Sequence, residues 1–357
     1  MSQLRTNAIL DASGGNTATI NTVPLRPGVL DPENRIINGA FDFWQRGTSG
    51  SGFGFVGPDR WINVTNAGTV TMSRQAFTLG DTLGSSSPTY FVRQSVSGQT
   101  TAGSVVTVAQ RIEGVRSYAG QTITILGWAR RSSGSGNMAI SIDQNFGTGG
   151  SPSTAVNGIG PTTVTLTGSW APFAVTIAVS SITGKTLGSN NNDYLQLNFY
   201  TSAGSDFNTQ SASLGLQTIG VDLWGIHIKQ GTHTTSAVDL YRQPELGPEL
   251  ARCQRYFVKF TDPQGVGVAT GATVAGASRV TFFLPTTMRG TPAISAPSTY
   301  GFWNGAATRT GTFQNSYTSG SDQFQADFTL SAAFTAGQSV VMYANSTNLI
   351  ISADAEL

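Results

Sequence analysis

Apolar and polar residues alternate along most of this chain, in short segments separated by clusters of glycine, serine and threonine. The alternation is clearest in residues 69–77, 90–96, 105–112, 121–128, 138–142, 162–166, 173–179, 194–200 and 219–228. A period of two places successive side chains on opposite faces of a strand, and no helical period separates these segments. The pattern therefore predicts an antiparallel β-sandwich of jelly-roll type, within a domain spanning residues 34–240.

One stretch, residues 241–260, has a different pattern. Gly247, Pro248 and Glu249 are typical of a helix start, with proline at the first helical position and an acid at the positive end. Apolar residues then recur at spacings of four and three, as in a coiled-coil seam: Leu246, Leu250, Cys253, Phe257 and Phe260. A short helix of this kind must bury its apolar stripe, either against a neighbouring domain or against copies of itself. The alternation of Tyr256, Val258 and Phe260 leaves open a strand at the end of the stretch.

The two ends of the chain differ from the middle. Residues 1–33 carry few apolar residues between glycine and proline signals. This pattern predicts an extended arm that lies on another protein, and a disordered tail is the alternative. Residues 261–357 again contain short alternating segments and predict a second, smaller β-sandwich. The predicted class is therefore all-β, with an arm, a large sandwich, a helical linker and a small sandwich.

Composition narrows the partners and the compartment. Charged residues make up 11% of the chain and the net charge is +1, which argues against nucleic acid or an anionic membrane surface as partner. The sequence has no apolar run long enough for a membrane span and no signal-peptide core at its start. The single cysteine, Cys253, cannot form an internal disulfide. We therefore expect synthesis in a reducing cytosol.

Three motifs, in order, resemble parts of bacteriophage tail-fibre and receptor-binding proteins. Asn34-Arg-Ile-Ile-Asn-Gly-Ala-Phe-Asp-Phe-Trp-Gln-Arg-Gly47, followed by Pro58-Asp-Arg-Trp61, is similar to the opening of their carbohydrate-binding-like jelly roll. Glu249-Leu-x-x-Cys-Gln-Arg-Tyr-Phe257 resembles the junction that follows it. Phe283-Leu-Pro-x-x-Met-Arg-x-x-Pro292 resembles a strand pair in their small C-terminal domain.

The resemblance implies a homotrimeric virion protein, located in a phage tail or fibre and synthesised in the cytoplasm of the host bacterium. It implies attachment to the phage tail or another virion protein through residues 1–33, and a bacterial surface polysaccharide or lipopolysaccharide as target. The heptad spacing alone does not decide between a trimer and a dimer. Related jelly rolls often hold a structural Ca²⁺, but this chain has no dense aspartate cluster, so we assign no metal ligand.

The sequence favours binding over catalysis. Its two histidines, His227 and His233, have no cysteine or carboxylate cluster at zinc spacing nearby. A glycosidase needs two carboxylates across a cleft, whereas most acids of the large domain fall at strand ends or in loops, where turn capping explains them. We therefore predict no enzymatic activity and no cofactor. A polysaccharide-degrading spike and a purely structural fibre base or decoration remain the alternatives.

Aromatic residues in poorly covered loops are the candidate sugar contacts, because pyranose rings have apolar faces. We predict a site in the C-terminal domain, which a fibre attached by its N-terminus presents outward. Its residues are Tyr300, Trp303, Asn304 and Arg309, together with Tyr317 from a following turn. The competing position is Trp170 on the large sandwich. We expect Trp44, Trp61, Trp128 and Trp224 to be packing residues.

Overall fold

The computed structural model describes residues 19–20, 23–24, 34–261, 267–274, 277–297, 299–317, 320–344 and 351–357. Of the predicted arm, these ranges include one antiparallel pair, β1 (Thr19–Ile20) and β2 (Val23–Pro24). The rest of residues 1–33 lies outside the described residues. Antiparallel strands dominate the described ranges, which confirms the predicted all-β class.

The larger unit is a sandwich of two antiparallel sheets. Its strands are β3 (Ser49–Ser51), β4 (Trp61–Thr65), β5 (Thr69–Ala76), β6 (Tyr90–Ser97), β7 (Val105–Glu113), β8 (Thr122–Gly134), β9 (Asn137–Asn145), β10 (Val156–Thr165), β11 (Ala171–Ala178), β12 (Tyr194–Ala203) and β13 (Ile219–Gln230). One sheet has the order β10-β9-β12-β7-β4, and the other has the order β11-β8-β13-β6-β5-β3. Most successive strands change sheet, as in a jelly roll. A short helix, α1 (Asn208–Ser211), follows β12.

The alternation of apolar residues builds the core between the two sheets. Leu195, Leu197 and Phe199 of β12 are fully buried. On the neighbouring strand β9, Ile142 lies opposite Leu197 and Ile140 lies opposite Phe199. Burying an aliphatic or aromatic side chain of this size contributes about 1.5–3 kcal/mol. The predicted period-two pattern therefore corresponds to the inward face of each strand.

A bulge in β13 reverses this alternation. Leu223 faces the core and Trp224 lies on the outer face of the six-stranded sheet, but Ile226 faces the core again. The register shifts between Trp224 and His227, where Gly225 adopts a φ of +67° that side chains disfavour. The outer face of this sheet consequently carries its own apolar cluster around Trp224.

The link between the two units contains a shorter helix than the seam pattern predicts. Helix α2 spans Leu246–Gln254, and strand β14 (Phe257–Phe260) follows almost directly. The alternation of Tyr256, Val258 and Phe260 is thus the correct reading of the end of this stretch. The physical reason is tertiary, because β14 pairs with strand β22 (Ile351–Asp354).

The five predicted seam residues do not form one helical stripe. Cys253 is fully buried in a small apolar cluster of its own chain, and Phe257 is buried in β14. Phe260 packs against the core of the smaller unit. Leu246 is 60% exposed and Leu250 is half-buried, so these two can still meet another chain. The single stripe is therefore wrong, while homotrimerisation stays a prediction.

The smaller unit contains a closed barrel. Its strands are β15 (Gly267–Val274), β16 (Ala277–Phe283), β18 (Thr299–Trp303), β19 (Thr308–Tyr317), β20 (Gln323–Leu330) and β21 (Ser339–Ala344). They close in the order β15-β16-β20-β19-β18-β21, and β17 (Ala293–Ser295) joins a second sheet, β14-β22-β17. The sequence predicted this smaller unit as a sandwich. Alternating apolar residues cannot distinguish a sandwich from a barrel, because both bury one face of each strand.

Ion pairs join the two units, and those made by Glu356 are buried. Arg46, in the sandwich, lies 3.0 Å from Asp354 and 3.3 Å from Glu356 of the smaller unit. Arg60 pairs with the same Glu356, and both side chains are at most 5% exposed. Burial lowers the pKa of the Arg60 guanidinium to about 10.

Within the described residues, no helix is long and apolar enough to cross a membrane.

Candidate functional site

The structure does not bring the predicted residues of the C-terminal site together. Residues 300–303 form the end of β18 rather than a loop, and Tyr300 is fully buried in the barrel core. Its assignment as a sugar contact is therefore wrong. Tyr317 is 47% exposed but ends β19, eight residues beyond Arg309. At ~3.3 Å per residue the two lie roughly 26 Å apart along the strand.

Trp303 and Asn304 instead line a cleft beside the neighbouring barrel strands β15, β21 and β18. This barrel cleft, of about 530 Å³, is formed with Thr270, Ser339 and Val341. Trp303 is 48% exposed. The side chain of Asn304 is already engaged, since it donates to Gln338 and accepts from the two backbone N–H groups at positions 306 and 307. The barrel cleft thus offers one exposed ring with few available polar groups.

The guanidinium group of Arg309 turns away from this cleft. One of its terminal nitrogens donates to the backbone carbonyl of Thr308, and its central carbon lies 5.3 Å from the ring centre of Phe334. Because Arg309 is absent from the cleft lining, the predicted contact between this arginine and an acidic sugar bound at Trp303 is not supported by the geometry.

A second cleft lies on the outer face of the six-stranded sheet. This sandwich cleft has a volume of about 560 Å³, and Phe77, Asp81, Phe91, Trp128, Arg130 and Trp170 are among its lining residues. The strands β6 and β8 supply Phe91, Trp128 and Arg130, while the loops after β5 and before β11 supply the others. Trp170, the competing sequence candidate, is therefore beside a real concavity.

The two tryptophans of the sandwich cleft have different surroundings. The indole of Trp170 stacks on Phe77 at a centroid distance of 5.3 Å, and it meets the edge of Phe91 at 5.2 Å. Trp128 is half-buried and packs against two apolar clusters, one around Trp224 and one around Val238. Trp170 is thus held in an aromatic wall, while Trp128 lines the cleft from the sheet itself.

An ionic group lies beneath the cleft. Arg93, Asp222 and Arg130 are directly opposite one another on the neighbouring strands β6, β13 and β8. Arg93 donates to both carboxylate oxygens at 2.7 and 2.9 Å, and Nε of Arg130 donates to Oδ2 at 2.7 Å. Hydrogen bonding to Asp222 raises the pKa of the Arg93 guanidinium. The cross-strand pairing fixes the position of Arg130.

Sequence reasoning missed most of this cleft. Trp128 was expected to be a packing residue, and it does pack against two apolar clusters, but it also lines the cleft. Trp44, Trp61 and Trp224 are buried as expected. A signal was present in Trp128-Ala-Arg130, where a charged residue follows an aromatic one on the outer face of β8. Asp222, the partner of Arg130, lies 92 residues away in sequence.

The described residues contain no group of three or more His, Cys, Asp or Glu side chains placed to hold a metal ion. Each histidine is close to a backbone carbonyl: Nδ1 of His227 lies 2.8 Å from that of Gly225, and Nε2 of His233 lies 2.7 Å from that of Gln230. No Ca²⁺ ligand can be assigned on this basis.

Comparison with solved structures finds similar folds at low identity. The chain is similar to a putative sugar-binding protein from Bacteroides thetaiotaomicron, with 14% identity, 56% of this chain and 100% of that chain covered, and a TM-score of 0.34. It is similar to the enzymatically active domain of bacteriophage CBA120 tailspike protein 4, with 14% identity, 56% and 21% coverage, and a TM-score of 0.32.

A third similar structure is the tandem CBM22-1–CBM22-2 domain of Paenibacillus barcinonensis Xyn10C. It shows 10% identity, covers 91% of this chain and 98% of that chain, and has a TM-score of 0.31. No family model matches the chain, and no curated protein matches it. At such low identity and TM-score, the similarity assigns neither a function nor a site to this chain.

Proposed function

We propose that this chain is a non-enzymatic bacteriophage virion protein, a tail fibre or receptor-binding protein that recognises a bacterial surface glycan. The support for the phage assignment is the ordered resemblance of the opening, junction and C-terminal motifs described above. In this proposal the protein is a homotrimer that docks on the virion through residues 1–33. Three copies of a weak sugar site then give useful avidity.

The observation that carries glycan recognition is the sandwich cleft. Trp128 offers an apolar ring, to which the apolar face of a pyranose can pack. Arg130 can donate hydrogen bonds to sugar oxygens, and the carboxylate of Asp81 can accept them from sugar hydroxyls. A few polar groups around an aromatic surface are typical of small-ligand sites. We favour this cleft over the barrel cleft, where the side chain of Asn304 already bonds Gln338 and its own loop.

The test is adsorption to host cells by three variants. Asp81 is exposed, so we expect Asp81→Ala to weaken adsorption with an unchanged melting temperature. We expect Trp128→Ala to abolish adsorption, and Trp303→Ala to serve as the matched control that retains it. Loss of adsorption in Trp303→Ala alone would instead move the site to the barrel cleft.

Two further measurements address the alternatives. A glycan array on which the wild-type protein binds nothing would favour a purely structural virion protein. Release of reducing ends from host capsule or lipopolysaccharide would favour a depolymerase, and we expect none. Electron microscopy of virions labelled at the C-terminus should place the label at the distal end of a fibre.

A further inference from the structure

Arg130 occupies a special position in the sandwich cleft. The central carbon of its guanidinium lies 4.9 Å from the ring centre of Trp170 and 5.2 Å from that of Phe91. Its Nε donates to Asp222, but its two terminal nitrogens make no hydrogen bond to any described residue. The side chain remains 28% exposed and lines the cleft. Four N–H donors are therefore held at a fixed place with no protein acceptor.

The charges of the ionic group beneath the cleft, Arg93, Asp222 and Arg130, do not cancel. Arg93 and Arg130 share the single carboxylate of Asp222, which has no exposed surface. Two positive charges therefore meet one negative charge. Among the described lining residues of the cleft, the other charged side chain is Asp81. Asp81 lies on an exposed loop, where its Oδ2 accepts from the backbone N–H of Thr78 and water screens its charge.

We infer that the sandwich cleft selects an anionic sugar residue, whose carboxylate or phosphate oxygens accept hydrogen bonds from the terminal nitrogens of Arg130. This inference rests on the proposed function, because it specifies the ligand class of the same site. Planar guanidinium groups match carboxylate and phosphate oxygens in two-point hydrogen bonds. The aromatic walls fix the guanidinium in place before the ligand arrives, which limits the entropy lost on binding.

Asp81 then binds a different portion of the ligand from Arg130. Its acceptor oxygens suit a neutral portion of the glycan, where hydroxyl groups supply the donors. One positive and one negative group on the same cleft also give the bound sugar a direction. A ligand made of neutral sugars throughout would leave the terminal nitrogens of Arg130 without the anionic acceptor that strengthens such bonds.

The experiment uses matched pairs of oligosaccharides and isothermal titration calorimetry on the full chain. The first pair is a capsule oligosaccharide containing uronic acid and its carboxyl-reduced form. The second is a phosphate-bearing capsule oligosaccharide and its dephosphorylated form. We expect wild-type protein to bind one anionic member about tenfold more tightly than its neutral counterpart, which is the effect of one charge-assisted hydrogen bond. The pair that shows the preference identifies the anion.

Two variants complete the design. Arg130→Gln should remove the preference, and its fold should persist because Arg93 still donates twice to Asp222. Arg131→Gln is the matched control, since Arg131 is adjacent on β8 but does not line the cleft. Melting temperatures establish that both variants are folded.

The outcomes separate this inference from the proposed function. Equal binding of charged and neutral members by wild-type protein, or a preference that persists in Arg130→Gln, overturns the anionic selectivity and leaves glycan recognition intact. Failure of the wild-type protein to bind any member, combined with an empty glycan array, overturns both.

Discussion

Asp143 is a half-buried carboxylate whose ionisation opposes folding. Its Oδ1 accepts from the backbone N–H of Gly158 at 2.7 Å, and its Oδ2 accepts from the side chain of Asn198 at 2.8 Å. Burial nevertheless raises its pKa above the usual value of an aspartate. A carboxylate with a raised pKa in the folded state stabilises that state in its protonated form. This contribution is complete below the unfolded pKa and is lost as pH rises through the folded pKa.

The first prediction at the residue scale therefore concerns how the free energy of unfolding depends on pH in wild-type protein and in Asp143→Asn. Unfolding by urea at about pH 4.5 and at pH 7 should show that wild-type protein gains more stability on acidification than Asp143→Asn does. Glu113 acts in the opposite direction, because hydrogen bonds from Arg255 and Tyr256 lower its pKa despite its partial burial. Since Glu113 is present in both proteins, their difference isolates Asp143. Identical pH dependence would contradict the assignment.

Single residues also show how far the candidate site could be predicted. Trp170 was found because a tryptophan beside Gly and Ser has little local cover. Arg130 and Asp81 were not found, since each looks ordinary in sequence and acquires its role from strands that pair far along the chain. The assignment of Tyr300 as a sugar contact was wrong. Which face of a short strand is buried depends on the register of that strand, which a glycine-rich sequence does not specify.

At the scale of elements, strand existence was predictable and the helix boundary was not. The period-two segments correspond to most strands of the sandwich, because one buried face imposes the same alternation everywhere. Helix α2 ends at Gln254, whereas the apolar spacing continues to Phe260. Pairing of β14 with β22 overrides the helical pattern there. This partner lies almost 100 residues later, beyond the reach of a local pattern.

Self-association is the prediction that belongs to helix α2. Leu246 is 60% exposed in a single chain, so Leu246→Asp should leave the folded subunit stable. If the helix meets its copies in a trimer, the new carboxylate would be buried at the interface and should shift the protein towards monomer. Leu250→Asp should act in the same direction.

The matched control for this experiment is Leu79→Asp, because Leu79 is fully exposed on a loop outside the helix. Sedimentation velocity on all proteins gives the oligomeric state directly. We expect Leu79→Asp to remain trimeric. A monomeric wild-type protein, or a trimer that survives both helix substitutions, would show that α2 does not mediate assembly.

At the scale of the whole molecule, the sequence predicted two β units in the correct order. It did not predict that the smaller sheet closes into a barrel, nor how the two units hold each other. Arg60 and Glu356 are 296 positions apart, and nothing near either residue indicates the other. Contacts of this kind depend on the final arrangement of elements, so they follow from the fold rather than from local pattern.

The last prediction concerns this connection. Glu356 faces Arg46 and Arg60, and the guanidinium of Arg60 also lies 3.4 Å from the ring centre of Tyr256. Glu356→Ala leaves Arg60 buried without that carboxylate. Loss of one partner from a buried pair costs about 3–5 kcal/mol. Asp354, whose side chain is 41% exposed, provides a graded control, since removing an exposed partner costs about 1 kcal/mol or less.

Calorimetry distinguishes simple destabilisation from loss of coupling. With the ion pairs intact, we expect the sandwich and the barrel to unfold in one transition. Glu356→Ala removes a contact that spans both units, so the transition should separate into two, while Asp354→Ala should keep a single transition at a slightly lower temperature. Two transitions in the wild-type protein, or a single unshifted transition in Glu356→Ala, would mean that these buried pairs do not couple the two units.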